Sequence, residues 1–179
     1  MRNSKTYKTA FFSLLLAAAL ILSYLESLLS GFIPVPGVKI GISNIATVYV
    51  LYEYGFPQAL GFGVLKALLA SAFTGRVSSV AFSLTGIVLS VLVMALLKKT
   101  GKFSLLGVNV SGAIFHIAGQ ISAASVILQT KGVWLFLPWL AIIAVCCGII
   151  TYIILRRLFT ITAKINNKDT IPPEKKNTE

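Results

Sequence analysis

Acidic side chains are scarce in this sequence, which has five Asp and Glu residues against 16 Lys and Arg residues. The single Asp is Asp169, close to the C-terminus, so the chain has no pair of Asp-rich motifs that could hold Mg²⁺ against a diphosphate. It also lacks a glycine-rich Lys-Ser/Thr loop for ATP and a Gly-x-Ser-x-Gly nucleophile motif. These absences predict a chain that is not an enzyme, with no catalytic residues and no cofactor.

Histidine and cysteine are equally rare. His116 is the only His, and the two cysteines, Cys146 and Cys147, are adjacent within an apolar run. Neighbouring cysteines suit neither a disulfide framework nor a metal site, because both need cysteines that are spaced along the chain. The sequence therefore predicts no metal site.

Charged residues make up only 12% of the chain, whereas 56% of it is hydrophobic and the mean hydropathy is +0.88. The apolar residues form runs of roughly 20, the length that a helix needs to cross the ~30 Å hydrocarbon core of a bilayer. We therefore predict an all-α, multi-pass integral membrane protein. The formal net charge of +11 then orients helices and binds anionic membrane lipid, and we predict no nucleic-acid partner.

Glycine, proline and charged residues divide the apolar sequence into six predicted transmembrane helices, within a domain that spans residues 1–158. The predicted helices cover residues 7–30, 39–54, 57–73, 77–97, 104–129 and 133–158. Residues 159–179 are polar and predict a disordered cytoplasmic tail. With six helices and the N-terminus inside, 12 Lys and Arg residues lie in inner segments and three in outer loops. Both termini are therefore predicted to be cytoplasmic.

Two predicted helices carry polar residues where membrane insertion is unfavourable. Lys66 lies in the middle of the third helix, at a depth where a charge costs about 2.5 to 3.5 kcal/mol. In the fifth helix, Gly112, His116 and Gln120 recur every four residues and so share one face. Two interpretations stay open: ligand binding, or hydrogen bonds between helices with Lys66 paired to a carboxylate such as Glu26.

Three basic residues, Lys39, Arg76 and Lys131, lie in separate outer loops. Together with Lys66 and His116 deeper in the bundle, they would produce a positive field that attracts anions. The predicted ligand is therefore a small molecule that is anionic or strongly hydrogen-bonding. The alternative is that the three loop residues are ordinary surface charges.

The segment from Pro34 to Ile45 reads Pro-Val-Pro-Gly-Val-Lys-Ile-Gly-Ile-Ser-Asn-Ile. It resembles the Pro-Gly-x-Lys-x-Gly-x-x-Asn signature of a membrane family called Gx transporters, also labelled heptaprenyl diphosphate synthase component I. The resemblance extends over about residues 8–157. That family is in turn similar to the S components of energy-coupling factor (ECF) transporters, which bind vitamins from outside and dock on a shared ATPase module.

The resemblance implies a six-helix, S-component-like bundle in a bacterial cell membrane, with the loop between the first two helices acting as a lid over an outward pocket. Lys39 and Asn44 match the signature, so the resemblance implies that they contact the ligand. Trp134 is expected to add a stacking surface. The predicted substrate-binding residues are therefore Lys39, Asn44, Lys66, Arg76, His116, Gln120 and Trp134.

S components commonly carry an Ala-x-x-x-Ala patch on their first helix for docking to the coupling subunit. The first predicted helix here has no strict Ala-x-x-x-Ala. It has small residues at the same spacing in Ser13 with Ala17 and in Ala19 with Ser23. These four are the predicted partner-docking residues.

The leading hypothesis is a substrate-binding, S-component-like subunit of an ATP-driven uptake transporter, partnered by an ATPase and coupling-protein module. The alternative is a non-catalytic membrane component of heptaprenyl diphosphate synthase, partnered by a soluble prenyl synthase subunit. A third hypothesis is a structural membrane scaffold, in which the polar face of the fifth helix only packs.

Overall fold

The computed structural model describes residues 5–29, 39, 41–75 and 78–166, and every regular element in these ranges is helical. The α-helices are α1 (Lys5–Leu29), α2 (Ile45–Glu53), α3 (Phe56–Thr74), α4 (Ser78–Thr100), α5 (Leu105–Ile127) and α6 (Leu137–Asn166). Short 3₁₀ turns at Ile42–Asn44 and Lys131–Phe136 lead into α2 and α6. The predicted all-α class is confirmed.

Five helical segments in the described ranges are long and apolar enough to cross a membrane. They are Thr9–Leu29, Phe56–Thr74, Ser79–Thr100, Leu105–Ile127 and Lys131–Ala163. The exception is α2, whose nine residues rise only about 14 Å, half the thickness of the hydrocarbon core. The helices are therefore those of a multi-pass membrane protein, whereas six spans and cytoplasmic termini stay predictions.

The start of α2 differs from the predicted helix, which begins at Lys39. Gly41 has a φ of +95°, a left-handed conformation that glycine adopts without steric strain. The chain then forms the 3₁₀ turn and enters α2 at Ile45, with the amide of Asn44 donating to the carbonyl of Gly41 at 3.0 Å. Asn44 thus lies in a turn rather than inside a helix.

The ends of α6 also differ from the predicted helix of residues 133–158. The helix begins at Leu137, and Pro138 lies in its first turn, where a missing N–H is tolerated. It continues to Asn166, past the predicted start of the polar tail. Phe159 is buried there and stacks on Tyr49 of α2, with 5.1 Å between the ring centroids. Residues 167–179 of the predicted tail lie outside the described residues.

The short helix α2 lies in the core of the bundle, and all of residues 45–51 are buried. Lys98, near the end of α4, fixes the C-terminal end of α2. Its Nζ donates to the carbonyl oxygens of Leu51 at 2.9 Å and Tyr52 at 3.2 Å, and lies 4.7 Å from the centroid of the Tyr52 ring. These bonds satisfy carbonyl groups that the end of a helix leaves without partners.

The helices α4 and α5 pack closely because glycines line their contact. A Cβ atom at Gly119 would lie 2.7 Å from the backbone carbonyl oxygen of Thr85, and one at Gly112 would overlap the side chain of Met94. Small residues at such positions let helix backbones approach each other within a membrane. This close approach fixes how near the polar face of α5 lies to α4.

We expect Gly119→Ala to lower the free energy of unfolding by about 1 to 3 kcal/mol, because the added methyl group meets a backbone carbonyl that cannot move aside. Gly61→Ala is the matched control, since a Cβ atom at Gly61 meets nothing within 4 Å and alanine favours a helix. Thermal unfolding in one detergent compares the two variants. A Gly119→Ala protein as stable as the control would contradict the close packing of α4 against α5.

Candidate functional site

Polar side chains from several helices meet around an internal cavity of about 20 Å³. The cavity lies between α1, the turn before α2, α3, α4 and α5, and its volume accommodates about one water molecule. Its ionisable lining residues are Glu26, Lys39, Lys66 and His116, none of which is more than 7% exposed. The bundle therefore concentrates four ionisable groups around one small internal space.

The hydroxyl group of Ser43 links a buried carboxylate to a buried ammonium group. Its Oγ donates to Oε2 of Glu26 at 3.0 Å and accepts from Nζ of Lys66 at 3.3 Å. The backbone N–H of Ser43 donates to Oε1 of Glu26 at 3.0 Å, and Lys66 Nζ also donates to Oδ1 of Asn44 at 2.6 Å. The 3₁₀ turn thus binds α1 to α3 through charge-assisted hydrogen bonds.

A second chain of hydrogen bonds joins the segment before α2 to α5. The backbone N–H of Lys39 donates to Oε1 of Gln120 at 2.8 Å, and Nε2 of Gln120 lies 2.8 Å from Nε2 of His116. A backbone N–H can only donate, so the oxygen of the Gln120 amide must face Lys39 and its NH₂ group must face the ring. His116 Nε2 is therefore the acceptor, and the proton of the neutral ring lies on Nδ1.

The Nδ1 atom of His116 is buried next to Gly86 of α4. The ring itself fits into a slot between two glycines. A Cβ atom at Gly86 of α4 would lie 2.8 Å from Nδ1, and one at Gly41 would lie 3.3 Å from Cδ2. The slot therefore holds the ring in place between α4 and the turn before α2.

The polar face of α5 serves two purposes. At its N-terminal end, Nδ2 of Asn109 donates to the carbonyl oxygen of Gly148 at 2.7 Å and to Oγ1 of Thr151 at 2.8 Å, which ties α5 to α6. The polar side chain at this end of α5 therefore serves the packing of α5 against α6. Two turns further along, His116 lines the cavity, and Gln120 lies next to it and accepts from the backbone of Lys39.

Five of the predicted substrate-binding residues come together in this cluster, namely Lys39, Asn44, Lys66, His116 and Gln120. Trp134 does not join them: it lies in the 3₁₀ turn before α6, is 42% exposed and does not line the cavity. Its position follows from the turn, which ends before α6 begins. Arg76 lies outside the described residues. That any of these residues binds a substrate stays a prediction.

The predicted docking residues divide into two pairs on α1. Ser13 and Ala17 are exposed, whereas Ala19 and Ser23 are buried in the bundle and Ser23 lines the cavity. A spacing of four residues places each pair on one face of the helix. It does not indicate whether that face points outward or into the bundle. Ser13 and Ala17 are thus accessible on the surface of the bundle, and docking at any of the four residues stays a prediction.

Two residues of the cluster, Glu26 and Ser43, were not in the predicted binding set. The sequence predicts Glu26 only as an ion-pair partner. A carboxylate so close to the end of an apolar helix is the feature that could have indicated its place in the site, where it is buried. Ser43 carried no signal of its own, because its role depends on the geometry of the 3₁₀ turn. Within the described residues, no group of three or more His, Cys, Asp or Glu side chains is placed to hold a metal ion.

A family model described as heptaprenyl diphosphate synthase component I matches residues 15–158 of this sequence. The matched range includes every residue of the cluster and runs from within α1 to within α6. No curated protein and no solved structure gives a significant match.

We expect Gln120→Leu to release the segment before α2, because the backbone N–H of Lys39 loses its acceptor. Loss of this buried hydrogen bond costs about 1 to 3 kcal/mol, which corresponds to amide exchange at Lys39 that is about five- to 150-fold faster. Hydrogen–deuterium exchange with fragmentation that resolves the Lys39 amide measures the change. Gln58→Leu, at an exposed position in α3, is the control. Equal protection of Lys39 in both variants would show that Gln120 does not hold this segment.

Proposed function

This chain belongs to the heptaprenyl diphosphate synthase component I family, and we propose that it is the substrate-binding subunit of an ATP-driven uptake transporter. In this proposal it acts as an S component: it binds a small anionic or polar molecule from outside the cell membrane and passes it on when docked to an ATPase and coupling-protein module.

The buried polar cluster is the observation that carries this proposal. Charged groups within a membrane bundle are unfavourable and most often mark a binding site or a pathway. Here Glu26, Lys39 and Lys66 are all buried around one cavity, together with the ring of His116. A structural scaffold needs no such concentration of ionisable groups, since Asn109 and Thr151 show how neutral side chains join two helices of this bundle.

The cavity in this conformation is too small for a vitamin-sized ligand. Pockets for such ligands measure about 300 to 1,000 Å³, whereas this cavity measures about 20 Å³. Ligand binding therefore requires the segment before α2 to move away from α5, which breaks the bond between Lys39 and Gln120. Gly41, in its left-handed conformation, is a suitable pivot. This arrangement supports a lid that closes over the site.

The outer surface of α1 supports docking of a membrane partner. Two apolar grooves of about 370 and 390 Å³ include residues of α1 and α3, and Ser13 lines the first and Ala17 the second. Small residues in a groove allow a transmembrane helix to approach closely. We assign the coupling protein to this surface in the transporter proposal.

The family description favours a second candidate, a non-catalytic membrane component of heptaprenyl diphosphate synthase. In that role the chain would hold a prenyl chain for a soluble catalytic subunit. The grooves along α1 and α3 are lined mainly by apolar side chains, which suits an isoprenoid chain as well as a helix. The grooves thus suit both candidates, and the protein partner is what distinguishes one candidate from the other.

We expect affinity purification of the tagged protein from its native membrane, in mild detergent, to recover an ATPase pair and a coupling membrane protein, identified by mass spectrometry. Recovery of a soluble, Asp-rich prenyl synthase subunit in their place would reject the transporter in favour of the second candidate.

Variants of α1 sharpen this test. Ala17→Trp would fill the groove at Ala17 and should reduce recovery of the partner about tenfold or more, since helix packing depends on close approach. Ala18→Trp is the matched control, because Ala18 is exposed but lines neither groove. Equal loss in both variants would show that the groove is not the docking surface.

A further inference from the structure

Gly41 divides the polar cluster into a part that stays in place and a part that can move. The 3₁₀ turn that follows Gly41 bonds to the side chains of Glu26 and Lys66 and so joins α1 to α3. Lys39 precedes Gly41, and its backbone N–H donates to Oε1 of Gln120 in α5 at 2.8 Å. A rotation at Gly41, whose φ is +95°, therefore moves Lys39 away from Gln120 without breaking the bonds that the turn makes to Glu26 and Lys66.

The movement of Lys39 separates one hydrogen-bond donor from one acceptor. The N–H of Lys39 is a backbone group and can only donate. The side-chain oxygen of Gln120 can only accept, and it faces Lys39 because the NH₂ group of Gln120 bonds to Nε2 of His116 at 2.8 Å. Both Lys39 and Gln120 are buried in the closed site. Buried polar groups are unfavourable without partners, so a ligand that takes the place of their bond must satisfy both of them.

We infer that the ligand presents a neutral amide-type edge to these two residues. Its carbonyl oxygen accepts from the N–H of Lys39, and its neighbouring N–H donates to the oxygen of Gln120. Such an edge repeats the amide-to-carbonyl bond that it replaces, and it occurs in lactams, cyclic ureas and pyrimidinone rings. This inference rests on the proposed function and narrows its ligand class from anionic or polar to molecules that carry an amide-type group.

Other polar groups satisfy the two residues less well. A carboxylate or a phosphate dianion has no hydrogen to donate, so its oxygens would lie against the oxygen of Gln120 and repel it. A hydroxyl group both accepts and donates, but it does so from one atom. It therefore spans a shorter separation of Lys39 from Gln120 than two neighbouring atoms do, and the closed cavity of about 20 Å³ must open widely to admit a ligand.

The test compares four small probes. They are 2-pyrrolidinone, a cyclic amide, γ-butyrolactone, the same ring with oxygen in place of the N–H, cyclopentanol as a hydroxyl compound, and acetate as a monoanion. Each is titrated to about 300 mM at constant ionic strength against the full chain in one detergent, and thermal unfolding gives the apparent affinity, because a ligand that binds only the folded state raises its stability. We expect 2-pyrrolidinone to bind about tenfold or more tightly than the other three, since each of those leaves a group of the site without a partner.

A variant of Gln120 makes the expectation specific. Gln120→Leu removes the acceptor, so the preference for 2-pyrrolidinone over γ-butyrolactone should disappear. The ratio of the two affinities within one variant is the measured quantity, so a change in overall stability or in access does not affect it. Gln58→Leu, at an exposed position in α3, is the matched control and should keep the wild-type ratio.

Three results would overturn the amide inference. They are no measurable binding of 2-pyrrolidinone to the wild type, another probe that binds the wild type as tightly, and an unaltered ratio in a folded Gln120→Leu protein. If Gln120→Leu does not fold, the order of the four probes on the wild type still decides.

The amide inference and the transporter proposal fail in different ways. Recovery of the ATPase module with the protein, without a preference for 2-pyrrolidinone, would reject the amide edge and keep the transporter. A preference that Gln120→Leu abolishes, in a chain that recovers only a prenyl synthase subunit, would keep the amide site and reject the transporter.

Discussion

An ionised side chain inside a membrane bundle is stable only where hydrogen bonds and opposite charge replace the water that it has lost. Glu26 and Lys66 impose this requirement on the bundle, and Ser43 meets it with its backbone N–H and its hydroxyl group. To bring both groups of Ser43 to the same carboxylate, the chain must turn sharply before α2. The left-handed Gly41 and the 3₁₀ turn provide that change of direction.

The glycines of α4 and α5 serve the same site from the opposite side. Gly119 brings the two backbones together, and Gly86 leaves the slot in which the ring of His116 lies. Gln120 then reaches across to the backbone of Lys39. The site is therefore built by close helix packing as much as by its polar side chains, and a change in helix spacing would move His116 and Gln120 away from the segment that they hold.

The polar residues of the site could be predicted from the sequence more readily than the residues to which they bond. Lys66, His116 and Gln120 stand out because each interrupts an apolar run. The unfavourable free energy of inserting a polar group into a membrane can be judged from the neighbouring residues alone. The bond from Glu26 to Ser43 depends on a turn whose geometry no periodicity encodes. The position of Trp134 away from the cluster depends on such a turn too, since a 3₁₀ turn replaces the expected first turn of α6. Phe159, in the part of α6 beyond the predicted end, stacks on Tyr49, and a contact between residues so distant in the sequence could not be predicted from a local pattern.

The orientation of the Gln120 amide also limits the protonation of the site. With its oxygen on the N–H of Lys39, the amide can only donate to His116, and a doubly protonated imidazolium has no lone pair with which to accept. Adding a proton to the ring would require the amide to rotate, which would set its NH₂ group against the N–H of Lys39. Imidazolium formation and the bond between Lys39 and Gln120 are therefore mutually exclusive, so one amide group couples the protonation of His116 to the position of the Lys39 backbone.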